Sequence, residues 1–79
     1  MPGQPFSIAN LREAADALYG RRQWQPALAR DLNTTQRTIR GWFDGQPLPD
    51  LRQQLVALLT AVGNKNLALM IAKLGPPER

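Results

Sequence analysis

The sequence contains neither cysteine nor histidine. The absence of cysteine excludes a disulfide scaffold, and the absence of both residues removes the side chains that hold nearly every zinc site. Catalysis by a histidine-assisted nucleophile is excluded as well. The chain also has no glycine-rich phosphate loop. We therefore expect no metal site, no cofactor and no enzymatic activity.

Long apolar runs are also missing. No stretch approaches the ~20 consecutive apolar residues that a membrane-spanning helix requires. The first residues, Met1–Pro5, lack the basic start and the apolar stretch of a secretory signal peptide. We therefore expect a cytoplasmic protein with no membrane partner.

Acidic residues are outnumbered, with six Asp and Glu against ten Arg and Lys, which gives a net charge of +4. Eight of the ten basic residues are arginine. A basic surface favours a polyanionic partner, because the neutralisation of phosphates releases counterions. A merely basic, well-solvated surface has the same composition, so the charge alone leaves both interpretations open.

The chain is short, and its 79 residues are enough for one domain. A domain of this size buries only about 60–65% of the surface that its unfolded chain exposes. Small domains commonly need a further source of stability. Since disulfides and zinc are excluded, a second subunit is the expected source.

Apolar residues recur at helical spacing, and no segment alternates with the period of two that is typical of a strand. Capping residues, glycines and prolines separate the apolar stretches. We therefore expect an all-α fold of five short helices. Their predicted ranges are about 8–19, 24–32, 36–43, 51–62 and 66–74.

Polar residues with short side chains predict where the helices begin. Ser7, Thr35 and Asp50 are expected N-caps of the first, third and fourth helices, and either Asn64 or Asn66 opens the fifth. Residues that tolerate a left-handed backbone predict where helices end. These residues are Gly20, Asn33, Gly45 and Gly63.

Residues 25–45 read QPALARDLNTTQRTIRGWFDG. A helix-turn-helix unit needs a first helix with apolar residues one turn apart and a small residue where the helices cross. It also needs a turn residue that tolerates positive φ, and a second helix with two apolar anchors. These requirements are met in register by Leu28 and Leu32, by Ala29, by Asn33, and by Ile39 and Trp42.

The same string resembles the DNA-binding domain of Cro and lambda-type repressors, whose usual pattern is Q-x-x-L-A-x-x-L-G-V-S-x-x-T-I-S-x-W-x-x-G. Asn33 replaces the usual glycine, Thr34 replaces the usual valine, and Thr35 stands at the usual serine. Small regulators of phages and mobile elements, including those encoded beside anti-CRISPR genes, are similar. The matching positions are Gln25, Leu28, Ala29, Leu32, Thr38, Ile39, Trp42 and Gly45.

The resemblance implies a single lambda-repressor-like domain over residues 1–79. It also implies a transcriptional regulator that binds a specific sequence of double-stranded DNA through the major groove. Such a regulator is expected to be a homodimeric repressor on an inverted repeat. Two-fold symmetry would then place the two reading helices ~34 Å apart, one turn of DNA.

Burial of the two anchors of the third helix turns its other side toward solvent. Glutamine suits adenine and arginine suits guanine, each through paired hydrogen bonds. Gly41 should face the groove and allow close approach of DNA to the helix backbone. In the alternative interpretation the charges are only solvated, with Arg40 paired to Asp44. The expected base-reading residues are Gln36, Arg37 and Arg40, with Thr38 partly exposed beside them.

Gln25 begins the second helix, where unpaired N–H groups and the helix dipole favour a phosphate. The resemblance likewise implies a contact of this glutamine with the DNA backbone. Such contacts position a protein without reading sequence. Thr35, Arg22 and Arg30 are further phosphate candidates, although Arg22 is equally compatible with a solubilising loop.

The fifth helix is more apolar than one buried stripe requires. A purely internal role in the core is one interpretation, and a self-complementary dimer contact is the favoured one. The expected dimer interface comprises Leu67, Leu69, Met70, Ile71 and Leu74, of which Leu69 lies off the core-facing stripe. The expected inward stripe of the fourth helix comprises Leu51, Leu55, Leu58, Leu59 and Val62.

A protein-interaction module is the alternative function, because a fold does not determine a function. In that hypothesis an antitoxin-like or inhibitory protein grips its partner with the fourth and fifth helices. Trp24 is expected to staple the second helix to the first. Glu13 and Asp16 share one helix face and are expected to be solvated carboxylates.

Overall fold

Five helices form the fold in a computed structural model that describes residues 4–20 and 24–77. The all-α prediction is confirmed for these residues, in which a single isolated bridge is the only strand-like pairing. The predicted helices agree with the observed ones to within two residues at every end. The observed helices are α1 Ile8–Tyr19, α2 Trp24–Asp31, α3 Gln36–Phe43, α4 Arg52–Ala61 and α5 Lys65–Ala72.

The predicted N-cap of α1 is confirmed. The backbone of Ser7 is extended, and its N–H donates to Oδ1 of Asn10, 2.9 Å away. The reciprocal bond of a capping box usually comes from Glu or Gln at this third helical position, and here the shorter Asn10 provides it. At the other end Gly20, with φ of 81°, donates its N–H to the carbonyl of Asp16.

The turn between α2 and α3 has the geometry that the sequence predicts. Asn33 has φ of 55° and is the only non-glycine residue with positive φ in the described part of the chain. Its N–H donates to the carbonyl of Arg30 at 3.2 Å, and the N–H of Thr34 donates to Ala29 at 2.8 Å. These two bonds are those of a Schellman motif, which pairs carbonyls that the helix leaves open.

The core lies where the five helices meet, and α4 and α5 form its most extensive helix pair. Leu28 and Ile39 are fully buried, as predicted, whereas Trp42 is half-buried against the core. The twelve buried hydrophobic residues are Phe6, Leu11, Ala14, Ala15, Leu28, Ala29, Ile39, Leu51, Leu55, Leu59, Ala68 and Ile71.

Phe6 is a core residue that the sequence analysis missed, because it precedes α1 and belongs to no helical stripe. Its side chain is 1% exposed. Its N–H donates to the carbonyl of Gly75 at 2.9 Å, and the N–H of Gly75 donates to Gln4 at 2.8 Å. The segment before α1 is therefore paired with the segment after α5.

The predicted N-cap of α4 was wrong. The helix begins at Arg52, and Leu51 rather than Asp50 is the capping residue. Leu51 is buried in the core. The Asp50 carboxylate accepts the backbone N–H of Arg52 at 3.2 Å and also bonds from its Nε and Nη2, at 2.8 and 2.7 Å. Nη1 of Arg52 donates to the carbonyl of Leu74 at 2.6 Å. One guanidinium thus joins the start of α4 to the chain that follows α5.

Val62, which was predicted to face inward, is 59% exposed because α4 ends at Ala61 and the chain then turns at Gly63, which has φ of 82°. Met70, which was assigned to the dimer interface, is 39% exposed, whereas the small side chain of Ala68 on the same helix is buried. The N-cap of α5 is Asn64 rather than Asn66, because Oδ1 of Asn64 accepts the N–H of Leu67 at 3.3 Å.

Candidate functional site

Helix α3 is fixed by its N-cap and by one buried anchor. Oγ1 of Thr35 accepts the N–H of Thr38 at 3.1 Å, as predicted, and the two threonine hydroxyls lie 3.0 Å apart. Ile39 has no exposed surface, and Trp42, one turn later, packs against the core. The helix therefore has little freedom to rotate about its axis, and its opposite side is held toward solvent.

The outward side of α3 carries the residues that the sequence analysis selected. Gln36, Arg37, Thr38 and Arg40 are all exposed. Their predicted exposure is confirmed, whereas base reading by them stays a prediction. A shallow depression of about 440 Å³ lies on this side of α3, and it is lined by Arg37, Thr38, Arg40, Gly41, Asp44 and Gln46.

The two arginines of α3 form no ion pair within the described residues. The ion pairs there are Arg30 with Asp31, at 3.5 Å, and Arg52 with Asp50, at 2.7 Å. The alternative pairing of Arg40 with Asp44 does not occur. Both guanidinium groups of α3 therefore keep their hydrogen-bond donors available to a partner outside the chain.

The residues predicted to contact phosphate differ in their exposure and in their hydrogen bonds and ion pairs. Gln25 is half-buried and lines a second depression, of about 570 Å³, that also includes Arg12 and Arg40. Thr35 is exposed, although its hydroxyl already caps α3. Arg30 is exposed near the end of α2, where it pairs with Asp31. The prediction for Arg22 lies outside the described residues.

Trp24 contacts α3 rather than serving only as a link to α1. Its ring and that of Phe43 are 5.4 Å apart between centroids and are tilted by 50°. This geometry is typical of favourable aromatic pairs. Phe43, which was not predicted as a contact, joins the start of α2 to the end of α3 and lines the same depression as Gln25 and Arg40.

Gln46 is the residue at this surface that the sequence analysis missed. Gly45, with φ of 106°, turns the chain back, and the N–H of Gln46 donates to the carbonyl of Gly41 at 3.0 Å. A Cβ atom added at Gly41 would lie 2.8 Å from Oε1 of Gln46. The Gln46 side chain therefore occupies the space over Gly41 in the free protein, and the approach of DNA to the backbone there stays a prediction.

A hydrogen bond between side chains links α1 to α2. The Tyr19 hydroxyl donates a short hydrogen bond to Oδ2 of Asp31. Burial of the phenol, followed by this bond to a carboxylate, raises the pKa of Tyr19 well above its usual value of 10. The bond holds the C-terminal turns of α1 and α2 together.

The predicted dimer interface is only partly available to a partner. Leu69 is 59% exposed and Met70 is 39% exposed, whereas Leu67 and Leu74 are half-buried against the core. Ile71 has no exposed surface, so its assignment to the interface was wrong: it belongs to the core of its own subunit. Val62, at 59% exposure, is an exposed apolar residue outside the predicted interface.

Comparison of the chain with protein-family models, with curated proteins and with solved structures gave no match. Over the described residues, no helix has the length and apolar character needed to cross a membrane. The same residues contain no cluster of three or more potential metal ligands. The candidate site is therefore defined by its own geometry and charge.

Proposed function

We propose that this protein is a cytoplasmic transcriptional regulator that binds a specific sequence of double-stranded DNA with a lambda-repressor-like helix-turn-helix, α2–turn–α3. The observation that carries the proposal is the outward side of α3, where Gln36, Arg37 and Arg40 are exposed. Neither arginine has an ion-pair partner among the described residues. Such side chains match the edges of adenine and guanine.

The dimensions of α3 suit the major groove. An α-helix is about 10–12 Å in diameter with its side chains, and the groove is about 12 Å wide. Gln25 and Arg40 line one depression beside the start of α2. A duplex that receives α3 would bring a phosphate to Gln25, at the N-terminus of α2, while Arg40 faces the bases.

We further propose that the regulator is a homodimer that represses transcription by occupying an inverted repeat. The support is the pair of exposed apolar side chains on α5, Leu69 and Met70, for which solvent is an unfavourable environment. A two-fold axis at α5 would present two copies of α3 to successive turns of DNA.

The test is selection of bound DNA from a random pool, followed by mobility-shift titration of the selected site. Wild-type protein should select a discrete, symmetric site. Arg40→Ala should weaken binding to that site by ~1–3 kcal/mol and relax the preference at one base of each half-site.

Lys73→Ala is the matched control for net charge, because Lys73 is an exposed residue that caps α5, a helix outside the α2–turn–α3 unit. It should weaken binding to all sequences slightly and equally. If Arg40→Ala selects and binds DNA as wild type does, α3 is not the reading helix.

A second candidate function is a protein-binding module that uses α4 and α5. The exposure of Val62, directly after α4, and of Leu69, on α5, favours it. This hypothesis predicts no preferred sequence in the DNA selection and only weak binding to any duplex. DNA binding through phosphates would instead be selective and steeply dependent on salt.

A further inference from the structure

The outward side of α3 has a gap where Gly41 stands. Arg37 and Gly41 lie one turn apart on this side, since residues i and i+4 are neighbours on a helix surface. Glycine has no side chain, so α3 presents no functional group to a partner at the position one turn after Arg37. A helix interior also disfavours glycine by comparison with alanine. The presence of glycine at position 41 therefore needs a physical explanation.

Gln46 supplies the side chain that Gly41 lacks. The Cβ position of Gly41 lies 2.8 Å from Oε1, 3.1 Å from Cδ and 3.6 Å from Nε2 of Gln46. The carboxamide thus lies over the helix backbone, where the middle of a longer side chain at position 41 would lie. It lines the same depression as Arg37 and Arg40.

The position of Gln46 is set by the backbone. Its N–H donates to the carbonyl of Gly41 at 3.0 Å, and the N–H of Gly45 donates to Trp42 at 3.3 Å. Together with the positive φ of Gly45, these bonds form a Schellman motif at the end of α3. The motif folds residue 46 back against the helix, which limits the positions that its side chain can reach.

The Gln46 carboxamide is chemically available. Among the described residues its side-chain oxygen and nitrogen take part in no hydrogen bond. A carboxamide offers two donors and one acceptor in a plane. That pattern matches N7 and N6 of adenine in the major groove.

We propose that Gln46 is a specificity-determining residue that contacts an adenine edge in place of a side chain at position 41. This inference rests on the proposed function, since it assigns one more contact to the same DNA site. It also gives the reason for glycine at position 41: a side chain there would displace the Gln46 carboxamide from α3.

The experiment is selection from a random DNA pool with wild-type protein, Gln46→Ala and Gly41→Ala. Wild type should prefer adenine at one base position of the site, and both variants should lose that preference. The base preferences at the positions that Arg37 and Arg40 read should be the same in all three proteins. Affinity for the wild-type site should fall roughly 5-fold or more in Gln46→Ala. The double variant should lose no more than either single variant, because both changes remove the same contact.

Gln53→Ala is the matched control. Gln53 is an exposed glutamine on α4, in a separate depression with Val56 and Ala72. This variant should select the wild-type site with unchanged affinity. Circular dichroism of all variants should show the helix content of wild type, because Gln46 is exposed and the atom nearest to the new Cβ of Gly41→Ala is the end of a flexible side chain.

The outcomes separate this inference from the proposed function. If wild type selects a site and Gln46→Ala retains every base preference, the role of Gln46 is refuted while the proposed function stands. A uniform loss of affinity, with the preferences intact, also refutes it, since that is the behaviour of a phosphate contact. If wild type selects no sequence at all, the proposed function fails, and this inference fails with it.

Discussion

At the scale of single residues, the turn between α2 and α3 depends on the backbone of Asn33. Asparagine enters the left-handed region more readily than other non-glycine residues, because its short polar side chain can form local hydrogen bonds. With φ of 55° and two Schellman bonds around it, Asn33 holds a conformation that glycine adopts at no steric cost.

Replacement of Asn33 tests this role. Asn33→Ala should lower the free energy of unfolding by about 1 kcal/mol, because alanine in the left-handed region is strained. Asn33→Gly is the matched control and should leave stability unchanged or slightly higher, since glycine adopts this region freely. Urea denaturation measures both variants. Equal losses in the two would show that the asparagine side chain, rather than its φ, is required.

The two glycines at the end of α3 should respond in opposite ways to alanine. Gly41 is helical, so Gly41→Ala should raise the free energy of unfolding by up to about 1 kcal/mol, with the Gln46 side chain moving aside. Gly45 has φ of 106°, so Gly45→Ala should lower it by about 1 kcal/mol or more. Denaturation curves compare the pair, and a destabilised Gly41→Ala would mean that the Gln46 side chain cannot yield.

At the scale of the helices, Arg52 joins α4 to the chain after α5, and this junction responds to pH. The bonds from Arg52 lower the pKa of Asp50 from 3.8 to about 2. A carboxylate whose pKa is depressed by folding stabilises the fold above its unfolded pKa, and the contribution is lost as the pH falls. The junction should therefore be intact at neutral pH and weaken between about pH 4 and pH 2.

Thermal unfolding of wild type and Asp50→Asn over this pH range tests the junction. Wild type should have the higher Tm at pH 7, and the difference should shrink as the pH falls from about 4 to 2. Asp44→Asn is the matched control, because Asp44 is an exposed aspartate that forms no ion pair among the described residues. A difference that persists at pH 2 would argue against the ionic contribution.

The sequence predicts the elements that local chemistry determines. Thr35 and Asn33 mark the two sides of the turn because capping and positive φ belong to single residues, and the buried Ile39 follows from helical spacing. The same information orients α3, so the exposure of Arg37 and Arg40 could be predicted too. These parts of the candidate site could be predicted without knowing which distant segments of the chain contact one another.

Contacts between distant segments are the part that the sequence did not reveal. Phe6 lies outside any helical stripe and is buried only because its segment pairs with Gly75. Arg52 was not recognised as a junction because its acceptor, the carbonyl of Leu74, is 22 positions away. Gln46 was missed for a related reason, since only the folded turn at Gly45 brings it onto α3.

At the scale of the whole molecule, the proposed dimer makes a distinct prediction. Leu69→Gln should shift the protein toward monomer and weaken binding to a selected inverted repeat, while affinity for a single half-site stays that of wild type. Leu69 is 59% exposed, so the fold should tolerate the change. Sedimentation velocity and mobility-shift titration measure the two effects.

Ala17→Gln is the control for this prediction, because Ala17 is exposed on α1 and the substitution likewise adds an uncharged polar side chain. It should leave the sedimentation coefficient unchanged. If wild type is already monomeric on and off DNA, α5 is not a dimer interface, and the exposed apolar residues need another explanation.

The pairing of Gln4 and Phe6 with Gly75 has a consequence for protein engineering. Because these two segments are hydrogen-bonded neighbours, a short glycine linker could connect them covalently with little distortion. New ends could then be opened at the exposed turn around Gly63. Such a circular permutant should retain the order of helix packing, and its circular dichroism should show the helix content of wild type.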